Sequence, residues 1–493
     1  MIGLYTAAEV RVAEEPVLAV TPEGSLMQRA AGGLATICLR LLGRAYGVRV
    51  VALVGAGNNG GDALFAGAAL AGRGAEVIAV LLDPERAHPA GLAALRRAGG
   101  RVVVDGDPGL DRADLVLDGI VGIGGSGGLR PAAATLVEQA ASGPGLMVAV
   151  DVPSGVDADT GAVPGGAFPA QHTVTFGAVK VGLVVGAGRG YVGTVHLVAI
   201  GLAEHLPPPR VRQLTDADVA ARLEPPGADD DKYSQGVVGI VAGSSTYPGA
   251  GVLCTGAALR TRPGLVRYAG TAADGVRAAW PEVIVTAGRP SDAGRVQAWV
   301  VGPGMGTDED ARSVLAEVLA TDLPVLVDAD ALTMAAADPG LVRDRSAPTV
   351  LTPHDREFER FSGRGGAGAG SVGDDRVGAA RRLAADLGAV VLLKGDATVV
   401  ADADGTAFVN ATGTPWLATA GTGDVLSGII GAALATGLPP DEAAAVGAHL
   451  HGRTGQLAAE GGPFIAGDLI RRLPGAIAHV RAVPARRLGH SSV

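Results

Sequence analysis

Asn410-Ala-Thr-Gly413-Thr-Pro-Trp-Leu-Ala-Thr419-Ala-Gly421-Thr422-Gly423-Asp424-Val-Leu-Ser427-Gly428 is the stretch that decides what kind of protein this chain is. A loop of glycine and threonine runs straight into an apolar, small-residue pattern of helical length, 425–436. Such a junction aims backbone N–H groups and the positive end of a helix at one point, and Asp424 puts a carboxylate inside the same loop. The combination suits an anion and a hydroxyl held together. Gly and Ala along the helix predict close approach of a neighbouring element or of a ligand. One GxGD alone is a weak signal, so its surroundings decide.

Outward from this loop, strand and helix patterns alternate. In the second half, apolar runs at 237–242, 265–268, 299–302, 324–328, 348–352 and 390–394 read as strands, with helical patterns at 251–260, 311–319 and 374–387. The first half repeats the grammar, with strands at 48–54, 76–82, 101–104, 115–118, 147–151, 174–177 and 195–200 and helices at 6–11, 25–42, 89–98 and 132–141. Alternation of this kind means βαβ units and a mostly parallel sheet covered on both faces, an α/β fold in each half. Between the halves, Pro207-Pro208-Pro209, Pro225-Pro226 and Asp229-Asp230-Asp231 mark a polar, proline-stiffened passage. We read 206–232 as a linker, 1–205 as one domain and 233–485 as the other. The Gly/Ala/Ser-rich run from Gly363 to Gly373 reads as a surface loop.

The 493 residues are too many for one core, and two domains suit them. With 48% hydrophobic residues, 77 Gly and no apolar run near the roughly 20 residues that cross a bilayer, a soluble protein is expected. Glu9, Arg11, Glu14 and Glu15 near the start do not make a basic leader before an apolar stretch, so the expected compartment is the cytoplasm. A homo-oligomer is the expected assembly. Cys38 and Cys254 lie in apolar, helix-like surroundings and read as buried reduced thiols. A net charge of −10 disfavours nucleic acid or anionic membrane as the main partner, while leaving anionic small molecules open.

In the first half, Val54-Gly55-Ala-Gly57-Asn58-Asn59-Gly60-Gly61-Asp62 imitates a dinucleotide fingerprint. Its side chains argue against a pyrophosphate loop, because Asn58, Asn59 and Asp62 crowd it with polar atoms and the carboxylate would oppose a diphosphate. A polar glycine loop that reads a ligand by hydrogen bonds, or helps hold a monovalent cation, explains them better. Asp118, followed by the glycine-rich Gly122-Ile123-Gly124-Gly125-Ser126-Gly127-Gly128, ends another strand, and Asp151-Val-Pro153-Ser154 ends a third. Ligands of open parallel sheets bind beyond the carboxyl ends of strands, so Asn59, Asp118, Asp151 and Ser154 are candidates for one pocket. Any one Asp taken singly can equally be a helix or turn cap.

These motifs, GAGNNGGDAL, DGIVGIG and DVPSGVDADTG, closely resemble those of the epimerase half of the bacterial NAD(P)H-hydrate repair enzymes over about residues 1–205. The resemblance implies a Rossmann-like three-layer α/β/α domain. It also implies that Asn58, Asn59, Gly60, Gly61, Asp62 and Gly122 to Gly128 contact a hydrated nicotinamide nucleotide, that Asn59, Asp118 and Ser154 bind K⁺, and that Asp151 contacts the substrate as acid or base. Met27-Gln28-Arg29-Ala30 departs from the family pattern, which has an acid and an amide in the middle.

In the second half, Val301-Gly302-Pro303-Gly304-Met305-Gly306 is a strand-end glycine loop, Thr352-Pro353-His354 ends another strand, and Val391-Leu-Leu-Lys394-Gly395-Asp396-Ala397-Thr398 leads a buried strand into a turn that can present Lys394 and amides to phosphates. A lone His354 is usually structural; directly after Thr-Pro at a strand end, beside GTGD, it reads as functional. The order GPGMG, TPH, LLKG, NATG, AGTGD resembles the ribokinase-like dehydratase half of the same family over about residues 225–485. The resemblance implies ADP contacts from Lys394, Gly395, Asp396, Ala397, Thr398 and Gly423, with Mg²⁺. It places the hydrated cofactor at Ala250, Gly304, His354 and Asp424, the last as catalytic base. Asp355-Arg356 and Arg262-Pro263 depart from the pattern. Two alternatives stay open at this level: a ribokinase-like kinase for a small alcohol with an accessory nucleotide-binding domain, and a first domain that only binds.

Overall fold

The structure, a computed structural model, describes residues 1–482 apart from 105, 126, 224, 262–263 and 363–370. Ser126, Arg262-Pro263, most of the Gly363 to Gly373 loop and the end of the second domain at 483–485 therefore lie outside the described residues. The chain forms two compact units, Gly3–Arg210 and Val211–Val493 with Met1–Ile2. Both cysteines are free and buried. Among the described residues, no helix is long and apolar enough to cross a membrane.

The first unit is built on seven parallel strands in the order Arg101–Val103, Glu76–Leu81, Arg49–Val54, Leu115–Gly119, Leu146–Val150, His172–Phe176 and Thr194–Val198. Apolar runs rather than alternating ones form these strands because both faces are covered. Val50, Ala52 and Val54 enter one core with Leu34, Leu64 and Leu95, while Val51 and Leu53 enter another with Val116, Val137 and Phe168. The period of two along one strand thus feeds two helical layers.

In the second unit, Ile284–Thr286, Leu265–Ala269, Val237–Val241, Ala298–Val301, Val325–Val327, Thr349–Leu351 and Val390–Leu393 run parallel side by side. An antiparallel hairpin, Thr398–Ala401 with Ala407–Asn410, extends that sheet. The helix Thr422–Ala435 packs on the helix Pro248–Thr261 so closely that a Cβ at Gly428 would collide with the Cys254 carbonyl. This is the close approach that its small residues predict.

The passage 206–232 is not the plain linker expected. It holds the strand Val211–Gln213, paired in parallel with Ala407–Asn410, and the helix Asp216–Ala220, closed by a Thr215/Asp218 capping box. Asp216 accepts hydrogen bonds from Arg453 at 2.8 and 2.9 Å and lies 2.6 Å from His449 Nε2, and Arg222 forks onto Glu442. A three-residue strand among prolines carries no periodic signal, and its partners lie some two hundred positions away. The helices Asp330–Ala337, Asp355–Ser362, Pro440–Ala459 and Ala466–Ala482 and the hairpin were likewise not anticipated.

Two candidate active sites

In the first unit, Asp118 is fully buried at the end of its strand and ties that end to the loop after the strand Leu146–Val150. It accepts from Ser154 N and Ser154 Oγ, both at 2.7 Å, and from Ile120 N at 3.2 Å, while Ser154 Oγ accepts from Val121 N at 3.0 Å. Burial pushes its carboxyl up to about 6, against the pull of those hydrogen bonds. Asn59 lies against the same loop: a Cβ on Gly122 would be 2.9 Å from its Oδ1, and its buried Nδ2 has no hydrogen-bond partner. Asn59, Asp118 and Ser154 thus converge on one place, offering oxygen donors and a carboxylate partnered by amides and a hydroxyl.

Asp151 stands beside it with φ of 66°, a strained conformation for a residue with a side chain. Its carboxylate is 2.6 Å from Lys180 Nζ and accepts from Thr175 Oγ1 at 3.2 Å. Lys180 is buried and also donates to the Phe176 carbonyl at 2.8 Å. Asp62 is pushed up to about 8, first by burial and then by Asp151 and Glu14, and its Oδ1 has no partner. Glu14 is itself raised by burial, with Lys180 opposing. Asp62, Asp151, Glu14 and Lys180 therefore form one electrostatic cluster.

The glycines divide by role. Gly60 and Gly61 are packing positions, the first against the Gly55 carbonyl and the second against Met27 Sδ and His88, whereas Asn58 is exposed at the helix start. Arg11 donates to the Ile123 carbonyl at 2.9 Å, and Gly124, Gly125, Gly127 and Gly128 continue that loop. Lys180, Glu14 and Arg11 were not picked out from the sequence. Lys180 could have been: a lone lysine inside Phe176-Gly-Ala-Val-Lys180-Val-Gly-Leu-Val-Val is a charge that burial tolerates only with a partner.

In the second unit, Gly421 caps the helix Thr422–Ala435 with φ of 84°, and a Cβ there would sit 2.6 Å from Leu253. Lys394 Nζ lies above the first turn, 3.9 Å from where a Gly423 Cβ would be. It donates to Asp328 Oδ1 at 2.9 Å and lies 3.7 Å from Glu357, while Ser427 Oγ donates to Asp328 Oδ2 at 2.7 Å. Asp328 thus straps the lysine to the helix. Burial and then Asp328 push Asp424 up to about 7, with Lys394 pulling down and Asp330 adding to the rise.

Ala329 between the two acids has φ of 51°, and Asp330 accepts from Gly306 N at 2.9 Å. That bond anchors the loop in which Gly304 (φ 63°) would meet Ala250 Cβ at 2.8 Å if it bore a side chain. His354 is half exposed, its backbone N donating to Glu357 Oε2 at 2.9 Å and its Nδ1 accepting from Glu357 N. Ala397 is buried, and Gly395, Asp396 and Thr398 complete the turn after Lys394. Of the expected residues, Lys394, Gly423 and Asp424 come together, as do Ala250 and Gly304, and His354 is linked to Lys394 through Glu357. Asp328, Asp330, Glu357 and Ser427 were missed. Asp328-Ala-Asp330 ends a strand as Asp118 and Asp151 do, but without a glycine loop after it.

Residues 238–472 match the family model described as NAD(P)H-hydrate dehydratase, and residues 23–182 match that of the YjeF-related protein N-terminus. The chain is 52% identical over 486 residues to the bifunctional NAD(P)H-hydrate repair enzyme Nnr of Mycobacterium leprae, covering 98% of this chain and 99% of the relative. To the enzyme of the same name from Mycobacterium tuberculosis it is 54% identical over 448 residues, covering 90% and 91%. Among solved structures, an ADP/ATP-dependent NAD(P)H-hydrate dehydratase from Bacillus subtilis, co-crystallised with ATP/Mg²⁺, is 29% identical with a TM-score of 0.49, covering 55% of this chain and 99% of that one.

Proposed function

The chain belongs to the bifunctional NAD(P)H-hydrate repair enzymes, and on that premise we propose how its two sites divide the work. It is an NAD(P)H-hydrate epimerase fused to an ADP-dependent NAD(P)H-hydrate dehydratase. The first unit interconverts the R and S forms of the hydrated cofactor, and the second returns the S form to NAD(P)H.

Dehydration needs help because hydroxide leaves poorly: water has a pKa of about 15.7, whereas the second pKa of a phosphate is about 6. In our reading Asp424 accepts the proton of the ring C6 hydroxyl as its oxygen attacks the terminal phosphoryl of ADP, releasing AMP. The resulting phosphate ester then leaves from C6 as the C5 proton is lost, restoring the double bond. Lys394 and the amides from Gly395 to Thr398 and at Gly423 face the phosphates, and the helix start behind Gly421 stabilises the transferring charge. The excess of carboxylates, Asp328, Asp330 and Asp424 against Lys394, suits a divalent cation held mainly by the nucleotide phosphates. Mg²⁺ would supply charge neutralisation there. Ala250, Gly304 and His354 line the side assigned to the hydrated cofactor.

In the first unit, Asp151, paired with Lys180, serves as the proton acceptor, and Asp62, which burial keeps protonated through neutral pH, as a donor. The buried Asp118 carboxylate, the Ser154 hydroxyl and the Asn59 amide oxygen are hard donors that fit K⁺, which would supply a fixed positive charge beside the substrate phosphates. We assign Asn58, Gly122, Ile123, Gly124, Gly125, Gly127 and Gly128 to contacts with the same substrate.

The observation that carries the dehydratase reading is Lys394 strapped by Asp328 over Gly423, next to Asp424. The test follows absorbance at the reduced-nicotinamide wavelength from a mixture of epimers with ADP or with ATP. Complete recovery, faster with ADP, is expected. Release of a stable phosphoester without recovery of NAD(P)H would instead mark a small-alcohol kinase.

A further inference from the structure

Lys394 is held from more directions than its ammonium alone requires. Its N–H donates to the Pro353 carbonyl at 2.8 Å, and its own carbonyl accepts from Arg376 Nη2 at 2.7 Å. The same guanidinium forks onto Asp355, Nη1 to Oδ2 at 3.1 Å and Nη2 to Oδ1 at 3.0 Å. The Arg376 side chain is only 15% exposed, against 53% for Asp355. Its plane occupies the space beside Gly395, where a Cβ would lie 2.6 Å from Nη2 and 3.1 Å from Cζ.

Helix formation does not explain this arginine. It is the first residue of the helix Arg376–Leu387, the end at which the helix dipole disfavours a cation. What it does there is serve two acceptors in one fixed plane, which a lysine ammonium cannot reproduce. Asp355, in turn, opens the helix that follows His354 and carries Glu357. The segment 353–357 therefore grips Lys394 at three atoms: the amide through Pro353, the ammonium through Glu357, and the carbonyl through Asp355 and Arg376.

We propose that Arg376, braced by Asp355, is a positioning residue for the nucleotide: it sets the peptide orientation at Lys394–Gly395, so that the turn to Thr398 presents its amides and the lysine to the phosphates. The proposal rests on the reading of that turn as the nucleotide site. It also makes the His354 side and the nucleotide side of the dehydratase one mechanical unit, since Asp355 and Glu357 lie one and three residues after His354.

The experiment uses the full chain and purified S epimer, with ADP as the probe. It measures KM for ADP, kcat, and ADP binding by calorimetry in wild type, Arg376→Ala, Arg376→Lys, Asp355→Ala and the double alanine variant. Loss of a charge-assisted bond to a part-buried carbonyl predicts KM and Kd for ADP raised roughly tenfold in Arg376→Ala, with kcat within about twofold. Arg376→Lys rescues little, Asp355→Ala costs about threefold, and the double variant is no worse than Arg376→Ala, because the two act through one contact. Unchanged ADP binding in Arg376→Ala overturns the proposal, as does a loss confined to kcat and melting temperature. Should Arg376→Ala fail to fold, Asp355→Ala, at an exposed position, decides in its place. Wild type that dehydrates with no dependence on nucleotide and binds no ADP would overturn the reading of the turn as well, an outcome distinct from a variant that binds ADP normally.

Discussion

Asp424 is placed where burial and Asp328 raise its carboxyl to about 7 and Lys394 holds it from rising further. A base must be unprotonated, so kcat/KM for dehydration should climb about tenfold per pH unit below about 7 and level off above it. Asp424→Asn should remove that limb and lower nucleotide-dependent dehydration by about a hundredfold or more, measured by recovery of reduced-cofactor absorbance, with epimerisation unaltered. Asp62 gives the opposite kind of statement, one about stability. Its folded carboxyl is raised from 3.8 to about 8, so folding favours the protonated form, and the stability present at acid pH is lost as pH rises through about 8. Asp62→Asn should therefore melt higher than wild type at pH 9, near wild type at pH 4, and epimerise poorly at both. A variant that melts lower at pH 9 would contradict the placement of Asp62 in a buried setting with Oδ1 unpartnered.

At the scale of elements, the position of the Gly421–Asp424 junction depends on how closely the helix Thr422–Ala435 can lie on Pro248–Thr261. Gly428 is the contact that permits it, facing the Cys254 carbonyl and Ala257. Gly428→Ala would push the helices apart, costing about 1–3 kcal/mol of stability by overpacking and displacing the helix start from Lys394. Chemical denaturation should show the loss, and dehydration should fall while epimerisation in the same sample persists. This contact was legible as a pattern of small residues, though its partner was not. The same division holds elsewhere. Asp118, Asp151 and Asp424 were legible because strand ends and helix starts mark themselves locally with glycine and acid. Asp328 was passed over although it ends a strand in the same way, since no glycine loop follows it; Ala329 takes the positive φ that a glycine would have announced. Glu357 and Arg376 had no local signal, because what matters about them is a tertiary contact with Lys394. Val211–Gln213 was hidden for a related reason: a short edge strand is defined by its neighbour in the sheet, and the prolines around it outweigh three residues of pattern.

For the molecule as a whole, the two activities have a necessary order. In our proposal a dehydratase whose Asp424, on the helix start, and Lys394, at the end of the strand Val390–Leu393, are held in one arrangement through Asp328 accepts a hydroxyl from one side of the ring, so the R epimer must be converted before it can be consumed. Asp151→Asn, which removes the counter-charge of Lys180 and the proton acceptor, should leave dehydration of purified S epimer intact. From a mixture of epimers, however, absorbance should recover rapidly only to the share present as S and then creep at the uncatalysed rate of epimerisation. Replacing K⁺ by choline in wild type should imitate that plateau without touching S-form turnover, if Asn59, Asp118 and Ser154 hold the ion. Mixing Asp151→Asn with Asp424→Asn protein makes the separation of sites directly visible, because each molecule then retains the site the other lacks. Full recovery in the mixture, with neither variant completing it alone, is expected when the hydrated cofactor leaves one site and enters the other through solution. A mixture that still stops at the S share would mean that the cofactor never passes between molecules, and the two sites would have to be treated as one.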